Sequence, residues 1–134
     1  MLQHFEHVGM ATGDLDRALA FYVDLLGMEL VLRKNVRAAG GPEVAFLAIN
    51  GVMVLEILKP SGEMTGPARD LPNSEVGIRH IALSFENIDA TYERLLAAGV
   101  VSVEKPRDAY NREILARVAF VKDPDGNIVE LVQH

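Results

Sequence analysis

Two stretches of the chain carry apolar residues at helical spacing, and each is bracketed by stop signals. Leu15, Ala18, Leu19, Tyr22 and Leu26 form one stripe, the pattern of a helix with one buried face. Asp14, just ahead of it, has the short acceptor side chain that caps a helix N-terminus, and Gly27 suits the C-terminal stop. A second stripe, Ile88, Thr91, Tyr92, Leu95 and Leu96, lies between Asn87 and Gly99, which offer the same two signals. Around both helices run extended segments rich in Val, Ile, Leu and Phe. They are broken by the turn formers Ala39-Gly40-Gly41-Pro42, Asn50-Gly51 and Asp123-Pro124-Asp125-Gly126. Each half therefore reads as strand, helix and three strands.

The halves also match in detail. VAFLAINGVMVLEIL starts at Val44 and VAFVKDPDGNIVELV at Val118; Glu56 and Glu130 each fall twelve residues after that valine, with no gap. His7 precedes Val44 by 37 residues and His80 precedes Val118 by 38. Such a repeat sets the architecture. The expectation is an α+β fold of two tandem βαβββ modules with curved, mostly antiparallel sheets. Residues 1–134 would form a single domain: module one at about 4–58, a connection at 59–76 carrying Pro60, Gly62, Gly66, Pro67 and Pro72, and module two at about 77–133.

Four polar residues stand at matching places in strands that are otherwise apolar. In an extended strand, alternate side chains share a face, so His7 goes with Gly9 and Ala11, and Glu56 with Val54 and Leu58. His80 goes with Ile78 and Ala82, and Glu130 with Ile128 and Val132. Both glutamates thus interrupt faces that read as buried. An ionised carboxylate there requires a counter-charge. A divalent cation held by His7, Glu56, His80 and Glu130 would supply it, and a mixed nitrogen and oxygen set suits zinc, nickel, cobalt, manganese or iron. The plainer reading makes each histidine a hydrogen-bonded structural residue and each glutamate an exposed edge residue. The repeat favours the metal, because all four occur at repeat-equivalent positions. His4 and His134 have no repeat partner and are expected to be exposed.

Composition narrows the partners. The 134 residues are 49% hydrophobic and 24% charged, a globular balance. A formal net charge of -6 repels nucleic acid and anionic membranes, which leaves a small molecule as the expected ligand. No cysteine is present, so disulfides, thiolate ligands and a thiol nucleophile are excluded. The first residues, MLQHFEHV, are neither basic nor strongly apolar, and no stretch approaches the apolar length of a membrane helix. A cytoplasmic protein is the resulting expectation.

The arrangement resembles the vicinal oxygen chelate superfamily of glyoxalases, bleomycin resistance proteins and dioxygenases over essentially the whole chain. HVGMATGDLDRALAFYVDLLGM is similar to its first strand and helix, VLEIL to its second ligand strand, RHIALSF to its third and DPDGNIVELV to its closing hairpin. The resemblance puts the four metal-ligand positions on His7, Glu56, His80 and Glu130. It implies one divalent ion per site, a small-molecule substrate and a homodimer, with each site built from one chain or from two. The metal would act as a Lewis acid on a substrate with two neighbouring oxygens, stabilising the enediolate or enolate left when a proton leaves the carbon beside a carbonyl. Glu130 is the first choice of base and Glu56 the second.

Four ligands favour the glyoxalase I and methylmalonyl-CoA epimerase groups, since the dioxygenases and fosfomycin-modifying enzymes of the superfamily use a three-residue set. The leading reading is a metal-dependent lyase or isomerase of glyoxalase type. The alternatives are a methylmalonyl-CoA-type epimerase, a non-catalytic drug-binding protein like the bleomycin resistance proteins, and a ring-cleaving dioxygenase. Glyoxalase I enzymes commonly place an arginine and an asparagine for glutathione where this chain has Ala11 and Pro60, so the substrate stays unassigned. The basic residues Arg33, Lys34, Arg37, Lys105, Arg107, Arg112 and Arg117 read more plainly as solvated loop charge than as a grip on an anionic group of the substrate; Arg112 is the best exception, because its loop precedes a ligand strand. Met10, Met28, Met53 and Phe46 fit ordinary core packing.

Overall fold

The computed structural model describes residues 1–37, 39–64, 66 and 74–134. The chain divides into two compact units, Met1–Gly66 and Pro67–His134. Each holds one four-stranded mixed sheet and its helix, the α+β arrangement expected. Much of the expected connection at 59–76, including Pro67 and Pro72, lies outside the described residues.

In the first unit β1 (Val8–Ala11) leads to α1 (Leu15–Leu19), a π-helical turn (Ala20–Leu25), β2 (Glu29–Asn35), β3 (Glu43–Ile49) and β4 (Val52–Lys59). The sheet order is β1-β4-β3-β2, with β1 parallel to β4 and the other pairings antiparallel. Asp14 caps α1 as expected, its Oδ1 accepting from Arg17 N at 3.1 Å. The helix does not stay regular, however. The bond from Leu26 N to Phe21 O (3.0 Å) spans five residues, and the wider turn rotates Phe21 into the core beside Leu15, Ala18 and Tyr22. Leu19 and Leu26, assigned to the buried stripe by a 3.6-residue period, are only half-buried. Gly27 still closes the segment, at φ +86°. Asn50 and Gly51, with φ of 51° and 77°, make the tight turn between β3 and β4.

The second unit repeats the plan with β5 (Ile81–Ser84), α2 (Ile88–Ala97), β6 (Val101–Asp108), β7 (Arg117–Lys122) and β8 (Ile128–Gln133), in the sheet order β5-β8-β7-β6. Asn87 Oδ1 accepts from Ala90 N at 3.0 Å, capping α2. Its buried residues are Ile88, Tyr92 and Leu95. The Asp-Pro-Asp-Gly turn is organised by buried Asp123, whose Oδ1 accepts from the backbone of Asp125 (2.9 Å) and Asn127 (2.8 Å). This is a structural role, and it accounts for the motif without chemistry.

In each unit the helix covers one sheet face, and the core lies between them. On the inner strands that face carries Ala45, Leu47, Leu55 and Ile57 in one unit and Ala119, Val121, Val129 and Leu131 in the other, all essentially inaccessible. The glutamates alternate with these residues and so belong to the opposite, half-open face. The expectation that they interrupt buried faces holds in part: Val44, Val118 and Val132 on these faces are buried, whereas Val54, Leu58 and Ile128 are half-buried, because strands with apolar residues on both sides do not reveal which side the helix takes.

An arginine ties each helix to its sheet, from a different strand each time. Arg33 on β2 reaches Asp16 (2.6 Å) and Glu43 (3.1 Å). Arg117 on β7 reaches Asp89 (2.7 Å) and Asp108 (3.1 Å). Among the described residues no helix is long and apolar enough to cross a membrane.

Candidate functional site

The parallel strand pairs bring histidine and glutamate together. In the first unit Gly9 of β1 pairs with Glu56 of β4, and His7 lies two residues before Gly9. His7 Nε2 stands 3.1 Å from Glu56 Oε2. In the second, Ala82 pairs with Glu130, and His80 Nε2 stands 2.9 Å from Glu130 Oε2. Both histidines fall one residue before their strand instead of inside it, a shift within the usual fraying of element ends.

Each pair has an aromatic neighbour on the same face. Phe46 pairs with Glu56 and Phe120 with Glu130 across the inner strands. Their rings meet His7 and His80 edge to face, with centroids 6.3 and 5.7 Å apart. Phe46, expected to be ordinary core, thus borders the histidine. The signal for both phenylalanines was the shared VAF that marks the repeat.

The electrostatics of the two half-sites differ. Glu6 Oε2 accepts from His7 Nδ1, so the first imidazole has a carboxylate at each nitrogen. Its pKa is raised above 6.5, first by the Glu6 hydrogen bond and then by the charges of Glu6 and Glu56. Arg79 stands before His80 where Glu6 stands before His7. In the second unit Glu104, Phe120 and Glu130 form one row across three strands. Arg107 Nε donates to Glu104 Oε1 at 2.6 Å, and its guanidinium lies over Tyr110, 4.2 Å from the ring centroid. Its pKa is raised mainly by the Glu104 hydrogen bond, with a lesser contribution from the Glu130 charge. Arg107 therefore lies within reach of the half-site's field. Arg112 sits on an exposed turn with Nη2 on Asp108 Oδ2 at 3.0 Å.

The donor chemistry fits a divalent ion. Two ligands at right angles, each about 2.1 Å from an ion, are about 3.0 Å apart, and the His–Glu separations are 3.1 and 2.9 Å. A histidine proton shared with the carboxylate has the same span. Each unit supplies two donors, and among the described residues no three His, Asp or Glu side chains are grouped to hold a metal. Glu6 adds none to the first pair, because it occupies the far nitrogen of His7.

The family model of the Glyoxalase/Bleomycin resistance protein/Dioxygenase superfamily matches residues 4–131. The chain belongs to this superfamily. Among its relatives, a probable lactoylglutathione lyase of a Synechocystis strain is 34% identical over 127 residues, covering 95% of this chain and 92% of that protein. A second protein of that name, from Vibrio cholerae, is 32% identical and covers 96% and 88%. A solved glyoxalase family protein of Bacillus cereus superposes with a TM-score of 0.81 over 99% of this chain and 95% of that one, at 21% identity. At that identity the likeness shows the superfamily fold, two βαβββ modules, and nothing of substrate.

Proposed function

We propose that the chain is a divalent-metal-dependent lyase or isomerase of glyoxalase type, with His7, Glu56, His80 and Glu130 as the metal ligands. The observation that carries this reading is the repeated pair: in each unit an imidazole Nε2 faces a carboxylate oxygen at the separation of neighbouring ligands, 3.1 and 2.9 Å. The names of the Synechocystis and Vibrio cholerae relatives support the reaction class. One ion would take two ligands from each of two modules, supplied by one chain or by two copies in a cytoplasmic homodimer.

A bound ion would supply Lewis-acid polarisation of a substrate oxygen. Glu130 accepts the proton from the carbon beside the carbonyl and returns it to a neighbouring carbon. Its Oε2 faces His80, and its Oε1 has no hydrogen-bond partner among the described residues. The Glu130 side chain is 13% exposed against 31% for Glu56, and the more shielded carboxylate exchanges a held proton with water less readily. Glu56 is the second choice. Phe46 and Phe120 limit the freedom of the histidine rings. Arg112 is assigned to an anionic group of the substrate, and an anion there would compete with Asp108 for its guanidinium. Ala11 and Pro60 offer no donor to glutathione at the two positions where the superfamily's glyoxalases commonly do.

The deciding experiment is solvent deuterium exchange by metal-loaded protein offered hemithioacetals, 2-hydroxyketones and 2-methyl-branched acyl thioesters. The expected result is deuterium at the carbon beside the carbonyl of one class, lost on chelation and in Glu130→Gln. Product identity then separates lyase from epimerase. Turnover that consumes dissolved oxygen would replace this reading with the dioxygenase one, and ligand binding indifferent to metal removal would replace it with the drug-binding one.

A further inference from the structure

The two histidines share a repeat position, a glutamate partner and a phenylalanine neighbour, yet they are not held alike. His7 has a second carboxylate, Glu6, on Nδ1. His80 follows Arg79, and its Nδ1 has no hydrogen-bond partner among the described residues. The difference matters because His7 lies outside the strand ladder. β1 begins at Val8, so backbone pairing does not hold the histidine's own backbone. Phe46 meets the ring edge to face, which limits sliding but leaves the ring free to turn over about the Cβ–Cγ bond, putting a ring carbon where each nitrogen stood. A hydrogen bond at Nδ1 removes that freedom, since the ring satisfies Glu6 and presents Nε2 to Glu56 in a single orientation.

We infer that Glu6 is a positioning residue for His7: it grips Nδ1 and so aims Nε2 at the place where Glu56 Oε2 stands. The inference rests on the metal reading for its consequence, since a ring already aimed binds an ion without first being ordered. It also makes the half-sites unequal, with the first prepared by Glu6 and the second reliant on Phe120 and Glu130. A carboxylate behind a ligating histidine raises metal affinity by about ten- to a hundredfold in other metal sites. The sequence alone gave no sign of this, because Glu6 has no counterpart in the second half and reads as one more exposed acid.

The test compares full-length wild type, Glu6→Gln and Glu6→Ala. Glutamine keeps an oxygen that accepts from Nδ1, whereas alanine leaves the ring unheld. Zinc affinity, read by chelator competition at one alkaline pH, should fall about ten- to a hundredfold in Glu6→Ala and be largely restored in Glu6→Gln. Measurable zinc binding that is equal in all three, or equally lost in both variants, would overturn the inference. The second readout needs no metal: nuclear Overhauser contacts between the His7 and Phe46 rings of the metal-free protein. They should report a single ring orientation in wild type and Glu6→Gln, and averaging over two in Glu6→Ala. A wild type that binds no zinc but shows this pattern would sink the metal reading and leave the positioning intact. An unchanged ring in Glu6→Ala would sink the positioning alone.

Discussion

His80 Nε2 lies 2.9 Å from Glu130 Oε2, across the parallel pairing of β5 with β8. The pairing makes this contact possible, because Ala82, two residues after the histidine, is the strand partner of the glutamate. An ion between them would be bound by both. Metal analysis of protein purified without chelator should find about one divalent ion per chain. Glu130→Gln keeps an oxygen donor but no base, so it should retain part of the metal while losing at least about a hundredfold in the deuterium exchange rate. Full exchange activity in that variant, with loss in Glu56→Gln, would move the base to Glu56.

Acidity should act on the first half-site in a defined direction. The Glu6 hydrogen bond, and after it the charges of Glu6 and Glu56, raise the His7 pKa above 6.5. A raised pKa in the folded state means that the protonated ring favours the fold. This contribution is complete below about 6.5 and fades as pH climbs through the higher folded value. Metal binding has the opposite sign, since the ring must lose its proton to offer Nε2. Affinity measured across a pH series should therefore rise through the same window, and in Glu6→Gln the rise should begin at lower pH. A flat profile would contradict this.

The residues just after the two glutamates report on the core. Ile57 and Leu131 point to the helix side and are 1% and 0% exposed. Leu131→Ala should cost about 2–5 kcal/mol and Ile57→Val about 0.5–1.5 kcal/mol, both read by denaturant unfolding. A Leu131→Ala cost below about 1 kcal/mol would mean that the site collapses around the void.

Removal of the clasp on α1 should matter much less. The Arg33 side chain is 35% exposed, so its pairs with Asp16 and Glu43 are screened. Arg33→Met should lose less than about 1 kcal/mol, with the difference shrinking as salt is added. A larger, salt-independent loss would point instead to packing by the arginine stem.

Much of this protein was legible in one dimension because its two halves say the same thing. The period-3.6 stripes placed both helices, Asp14 and Asn87 marked their starts, and the coincident positions of Glu56 and Glu130 singled out the polar residues that the structure pairs with His7 and His80. These are local or repeated signals, and a linear sequence carries them intact. Other features depended on the third dimension. Phe21 entered the core in place of Leu19 and Leu26 because one widened turn rotated the helix, and no periodicity encodes that turn. The glutamates lay on the half-open face because the helices packed on the other side of strands that are apolar on both. Phe46 became a neighbour of His7, and Arg107 came within the field of Glu130, through strand register. Register sums hydrogen bonds and side-chain fits across segments far apart in sequence, so only the folded chain decides it.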